Sequence, residues 1–347
     1  MPNFSIGVDL GATNLRIAAV NQSGDLLEKI SLGTQAAMGR DHVLHEMCNA
    51  IRALVSNHQS PSSLLDGIGI GIPGILDMRT GLLRESPNLP GWADSPMQAQ
   101  IEHILGARVI VENDANVAAL GEKWLGAARG VDDMIMLTLG SGLGGGIVLG
   151  GRIWHGMAGM AGEIGHMTVE SEGLPCSCGN RGCIEQYVSA SAIVRMAEEA
   201  ISAGRSAGLA KAATSDPDFD AKAVYTLAMH GDQEAMKIFS RLGRALGICI
   251  ANLINIFNLP MYVVGGGISS AWEAFSPSTF QELKERSMVY SATAPVPQVS
   301  NARSSSRGVE PEGLCKTIVT RALLGSDAGL FGAARLPMIH SLKSSSL

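Results

Sequence analysis

The sequence predicts an α/β protein of two domains, on three observations. Its 347 residues are enough for two complete cores. Short β-branched runs alternate with helix-length amphipathic stretches. Carboxylates, amides and glycines gather where the strand-like runs end, which is where sites in α/β folds are built. Hydrophobic residues make up 46% of the chain and charged ones 17%, a globular balance with no sign of general disorder.

Residues 4–9, FSIGVD, read as a buried strand. LRIAAV and LLEKISL follow as two more, joined by the polar NQSGD, so the chain opens with a β-meander whose first corner is the tight GATN loop. A helix is expected from Asp41 as N-cap, with Val43, Met47, Ile51 and Leu54 on one face. Ile68–Ile72 reads as a buried strand stopped by Pro73-Gly74, and RVIVEND from Arg108 as another that hands over to a helix at Asp114. Met134–Leu139 is a strand that enters a run of glycines. Beyond it IVLGGRIW has hairpin chemistry, turning at Gly150-Gly151. Helices dominate from Ser189 to Asn258. The most apolar long segment, from Leu242, contains Arg244, Asn252 and Asn255, which suits a buried core helix and not a membrane span. MYVVGGGIS adds a strand and a second glycine turn. The stretch 296–316, rich in Pro, Ser, Asn and Arg, reads as a flexible insert.

The formal charge is 26 minus 32, or −6, with no basic block, which argues against nucleic acid as a partner. MPNFSIGVDL has no basic residue before its apolar run and is not a secretory signal, so a cytoplasmic protein with no membrane partner is expected. Of the six cysteines, three cluster at Cys176, Cys178 and Cys183.

Gly140, Gly142 and Gly145 spell G-x-G-x-x-G, which raises a dinucleotide site, a ligand-free turn and a phosphate loop as readings. The first needs a helix straight after the glycines, and no helix start signal follows them. DLGATN places Asp9 at a strand end, then Gly11, where backbone N–H groups can approach a phosphate, and Thr13 as a hydroxyl donor. Alone it is an ordinary turn; with the later glycine loop it could form half of a phosphate clamp. The turn at Gly265–Gly267 follows a strand and could pass close to a nucleotide base or ribose, or be a tight strand-to-helix corner. Asp114 on its own reads as an N-cap.

Taken together, DLGATN, ENDAN, the glycine loop with EIGHM, and CSCGNRGCIE resemble the ROK family of bacterial sugar kinases, in the family's order and over nearly the whole chain. The resemblance implies an actin-like ATPase (ribonuclease H-like) fold. It has a small α/β domain of 1–117 with about 326–340, a large one of 118–325, and the active site in the cleft between them. It further implies ATP with Mg²⁺ as cofactor, a hexose as substrate and a homodimer as assembly. Asp114 would be the catalytic base, and Asp9 would help organise Mg²⁺ through water. Asn88, Asn113, Asp114, Glu163, His166 and Glu185 would contact the sugar. Asp9, Gly11, Ala12, Thr13, Asn14, Gly140, Ser141, Gly142, Gly265 and Gly266 would contact ATP. Ser141 stands where the family usually carries Thr, which keeps the hydroxyl. The insert falls outside the resemblance and is given no role.

His166, Cys176, Cys178 and Cys183 supply four N and S ligands, the donor set of a closed tetrahedral zinc site with a structural role; buried free cysteines are the plain alternative. Glucokinase is the expected activity, with N-acetylmannosamine kinase and fructokinase as alternatives and a non-catalytic sugar sensor as a reading from another class. Sugar-responsive repressors of the family carry a DNA-binding domain before the DLGATN strand, and here only eight residues precede Asp9.

Overall fold

A computed structural model of the chain describes residues 3–86, 89–295 and 316–344. The N-terminal meander forms as expected: β1 (Phe4–Leu10), β2 (Asn14–Asn21) and β3 (Leu26–Gly33) pair antiparallel. α1 (Arg40–His58) follows, then β4 (Leu65–Ile72), β5 (Ile75–Asp77), β6 (Leu82–Glu85), α2 (Met97–Leu105), β7 (Val109–Asn113) and α3 (Asp114–Trp124). Helix α1 begins one residue before Asp41, with Gly39 at the N-cap position and no side-chain cap, so Asp41 serves in the first turn instead.

β4 and β7 add to β1 in parallel, giving the order β3-β2-β1-β4-β7. β1 is buried along nearly its whole length because both its faces are covered. On one side Ile6, Val8 and Ile70 join Met47, Ile51 and Trp92 in the main core. α3 and the C-terminal helix cover the other side, with Val117, Leu120, Ala333 and Leu336 packed together. The edge strand β3 is only partly buried along its length.

β8 (Met134–Leu139), β9 (Leu143–Leu149) and β10 (Arg152–Ile153) come next, and β9 and β10 pair antiparallel around Gly150-Gly151 as the hairpin pattern predicts. The helical region comprises α4 (Glu185–Val188), α5 (Ala190–Ser202), α6 (Ala207–Ser215), α7 (Ala221–Met229) and α8 (Gln233–Phe257). α8 holds the expected core segment but starts earlier, because the Asp232 carboxylate caps it by accepting from the N–H groups of Glu234 and Ala235. β11 (Met261–Gly265), α9 (Trp272–Arg286), α10 (Met288–Thr293), β12 (Ile318–Arg321) and α11 (Ala328–Ser344) complete the chain, with β11 and β12 parallel.

Two compact units result: Met1–Thr138 with Gly144–Glu163 and Ala322–Leu347, and Leu139–Leu143 with Ile164–Arg321. The expected insert lies outside the described residues except for Lys316. Among the described residues no helix is long and apolar enough to cross a membrane.

Candidate active site and metal cluster

The register of the first sheet brings the ends of three strands to one edge. Asp9 is opposite Gly71, Gly71 opposite Glu112, and Ile72 opposite Asn113. One residue further on, Asp114 is the first residue of α3. Asp114 is not the N-cap that the sequence allowed. Asn113, still extended, takes that role: its Oδ1 accepts from the N–H groups of Ala115 and Asn116 at 2.9 and 3.2 Å, and its Nδ2 donates to the Gly74 carbonyl at 3.2 Å. Asp114 thereby points its carboxylate into a small pocket it shares with Asn113, Asn116, Gly144, Gly145, Gly162 and Glu163. Burial pushes its carboxyl up to about 6. The N–H of Ala115 opposes the shift, and the negative charges of Asp9 and Glu163 add to it.

Sequence reasoning missed the group beneath this corner. Glu112 is 2% exposed, and its carboxylate accepts from His155 Nε2 at 2.6 Å, from the Asn113 N–H at 2.9 Å and from Asn116 Nδ2 at 3.0 Å. The residues on both sides of Asp114 are therefore held by one buried carboxylate. A glutamate inside an otherwise apolar strand is the signal that could have found it, since a buried charge requires partners. Asn116 Oδ1 is buried without a hydrogen-bond partner.

Asp9 pairs with Arg16 at 3.0 Å, and Arg16 also donates to the Ser326 carbonyl at 3.2 Å. Burial raises the Asp9 carboxyl against the lowering effect of Arg16. The adjoining loop is a tight turn in which the Gly11 N–H donates to the Asn14 carbonyl at 2.9 Å. Buried Thr34, also missed, pins the turn twice: its N–H donates to the Thr13 carbonyl at 2.9 Å and its hydroxyl to the Gly11 carbonyl at 2.7 Å. Ala12, Thr13 and Asn14 stay exposed. Asn88 lies outside the described residues.

In the second unit, Gly140 N–H donates to the Gly142 carbonyl at 2.9 Å, and the chain passes straight into β9 with no helix. The dinucleotide reading fails on that point. Two contacts fix the loop: Ala190 N–H donates to the Gly140 carbonyl, and Glu185 Oε2 accepts from the Leu143 N–H, each at 2.9 Å. Ser141 is exposed between them. Beside Gly140 is a cavity of about 220 Å³ lined by Ile193, Asp220, Lys222, Tyr225, Phe239 and Ile268 among others. Gly265 ends β11, and Gly266 precedes the short 3₁₀ turn that contributes Gly267 and Ile268 to this cavity. None of those lining side chains carries a sequence motif.

His166 ends a 3₁₀ turn, Ile164–His166, directly after exposed Glu163. Its Nδ1 is 3.7 Å from Cys176 Sγ, Cys178 Sγ is 3.7 Å from Cys183 Sγ, and all four ligand atoms lie within 4.8 Å of one another. A tetrahedron with zinc–sulfur arms of about 2.3 Å has edges of about 3.8 Å, so the four donors fit a zinc ion. Burial disfavours the Cys176 thiolate, but hydrogen bonds from the Cys178 backbone and from the Cys178 and His166 side chains outweigh it and bring the thiol down to about 6.

The family described as "ROK family" matches residues 5–337. A glucokinase of Halalkalibacterium halodurans is 36% identical over 332 residues, covering 95% of this chain and 94% of that protein. A xylose repressor of Caldicellulosiruptor bescii is 31% identical over 285 residues, 82% of this chain and 71% of the repressor. Among solved structures, a glucokinase from Streptomyces griseus in complex with glucose and AMPPNP superposes with a TM-score of 0.75 at 32% identity, over 96% of this chain and 99% of its own.

Proposed function

Because the chain belongs to the ROK family, has its actin-like ATPase fold and is a sugar kinase, we propose that it transfers the γ-phosphoryl group of ATP to the 6-hydroxyl of glucose. The observation that carries this reading is Asp114, a recessed carboxylate at a strand-to-helix corner with a carboxyl raised to about 6. A base poised near the working pH can take a hydroxyl proton as the oxygen attacks phosphorus. The relative that holds glucose and AMPPNP together supports the pairing of substrates.

In this reading Asp114 accepts the proton, while Glu163 and the remaining N–H of Asn113 Nδ2 bind neighbouring sugar hydroxyls. Asn88, His166 and Glu185 are assigned to the sugar as well, on the family resemblance. The loops at Asp9–Asn14 and Gly140–Gly142 offer backbone N–H groups to phosphates. The cavity beside Gly140, with Tyr225 and Ile268 on its wall, takes the nucleotide base. Asp9 fits an outer-sphere role toward Mg²⁺, since Arg16 already occupies Oδ2; bound Mg²⁺ would neutralise charge on the transferring phosphoryl group. His166, Cys176, Cys178 and Cys183 would hold a structural zinc, with no position left for water.

A coupled ADP-release assay across glucose, mannose, fructose, N-acetylglucosamine and N-acetylmannosamine tests the reading. Glucose should give the highest kcat/KM. Preference for another of the five would replace the substrate, and binding of a sugar with no turnover on any would favour the sensor reading that the match to a xylose repressor raises.

A further inference from the structure

The C-terminal end of α3 and the middle of α11 border a cavity of about 340 Å³ in the first unit, separate from the Asp114 pocket. Lys123, Trp124, Arg129 and Arg335 line it, with Leu120 and Ile339 as apolar wall. The Arg335 guanidinium carbon lies 4.9 Å from the Trp124 ring centroid, a cation–π contact. Lys123 is paired with exposed Asp132 at 3.1 Å. Among the described residues no carboxylate lies within ion-pair distance of Arg129 or Arg335, and α11 contains no acidic residue at all. Burial lowers the Arg335 pKa, the mark of a cation that has lost water without gaining an anion. Arg335 Nη1 also donates weakly to Met338 Sδ at 3.8 Å, but two guanidinium groups without a carboxylate partner on one cavity wall match the charge of a phosphate dianion.

The two helices that border this cavity also lead to the two acidic residues; Arg335 is on α11, and Arg129 lies in the turn after α3. α3 opens with Asp114. At the start of α11, a Cβ on Gly329 would sit 3.1 Å from Asp9 Oδ1. Between those ends the helices touch backbone to backbone: a Cβ on Gly121 would strike the Ala328 carbonyl, and one on Gly332 the Val117 carbonyl. A pair packed this closely shifts as one body.

We propose that this cavity binds a small phosphate ester, with Arg129 and Arg335 on the phosphate and Trp124 beside the ester group, and that its occupancy alters turnover through α3 and α11. The binding claim is independent of the proposed reaction; only the effect on turnover rests on it.

Intact protein is titrated with inorganic phosphate and, separately, with glucose 6-phosphate, by calorimetry and tryptophan fluorescence. Glucose 6-phosphate should bind saturably and more tightly than inorganic phosphate, with a fluorescence change that Trp124→Phe abolishes. Arg129 is exposed and unpaired, so Arg129→Glu should fold normally, keep wild-type basal turnover and bind the ester at least about tenfold more weakly. Arg335→Lys, which keeps the charge but loses the fork, should bind more weakly too. Saturating ester should change wild-type turnover and leave that of Arg129→Glu unmoved. Undiminished binding in Arg129→Glu would overturn the site. Equal affinities for phosphate and ester would overturn the ester claim, and an ester effect on turnover that persists in Arg129→Glu would overturn the coupling.

Discussion

A carboxylate in the first turn of a helix ordinarily ionises easily, because the helix N-terminus favours negative charge. Asp114 does the opposite: burial, with Asp9 and Glu163 nearby, brings it up to about 6 from an ordinary 3.8. The site therefore holds its base at the expense of stability. Because the folded-state value is raised, the ionised form is a cost to folding that is fully present above about pH 6 and disappears as pH falls through 3.8. Asp114→Asn removes that cost. It should lower turnover at least about 100-fold, yet melt roughly 2–4 °C higher than wild type at pH 8, with most of the gain gone by pH 4. Wild-type kcat/KM should fall on the acid side with a midpoint near 6. Thermal melts at the two pH values check the stability half; a variant that melts lower at pH 8 would show that the carboxylate is not strained by its surroundings. The corner at Asp114 was legible in the sequence because a strand and a helix signal meet there, but the role assigned to Asp114 came from the family resemblance of ENDAN. Glu112 carried only the signal of a charge inside an apolar strand, and its partner His155, 43 residues away, could not be read from the sequence.

Among the elements, the loop between β8 and β9 and the start of α4 are tied by one hydrogen bond, from Leu143 N–H to Glu185 Oε2. Glu163 instead lines the Asp114 pocket and belongs to the other unit. The two glutamates, both assigned to the sugar, should therefore behave differently. Glu163→Gln should raise the Michaelis constant for sugar more than about tenfold, as expected for a charged hydrogen bond of roughly 1.5–3 kcal/mol, and leave that for ATP unchanged. Glu185→Gln should raise both, because the loop it restrains is the one assigned to phosphate. Titration of each substrate separates the cases, and an ATP constant unmoved by Glu185→Gln would show that the loop holds its shape without it. The strand before the glycines and the hairpin after them were readable here from β-branched runs and glycine spacing, but the order of the sheet was not. The cavity formed by Ile193, Asp220, Tyr225 and Phe239 was not, because it arises from helices packed together and from no motif along any one of them.

At the scale of the whole molecule, the two units interleave in sequence: the five-residue piece Leu139–Leu143 belongs with Ile164–Arg321, and the C-terminal segment returns to the first unit. No shift in composition marks these crossings. The stretch that carries the metal donors is itself poor in regular structure. Between the 3₁₀ turn ending at His166 and α4 it has only isolated bridges, Thr168 with Cys183 and Pro175 with Arg181, and Cys178 is exposed. Such a segment buries too little to order itself, so a metal at the four donors would supply folding free energy directly. Purified protein should contain one zinc per chain. Cys178→Ser should lose it and melt well below wild type; because its neighbours His166 and Glu185 are the assigned sugar contacts, its sugar constant should rise. Asp114 belongs to the other unit, so the acid limb of kcat/KM should keep its midpoint near 6 in the same variant. Elemental analysis that finds almost no zinc in fully active protein would remove the metal from this account, whereas an acid limb that moves in Cys178→Ser would mean that the cluster reaches the base as well as the sugar.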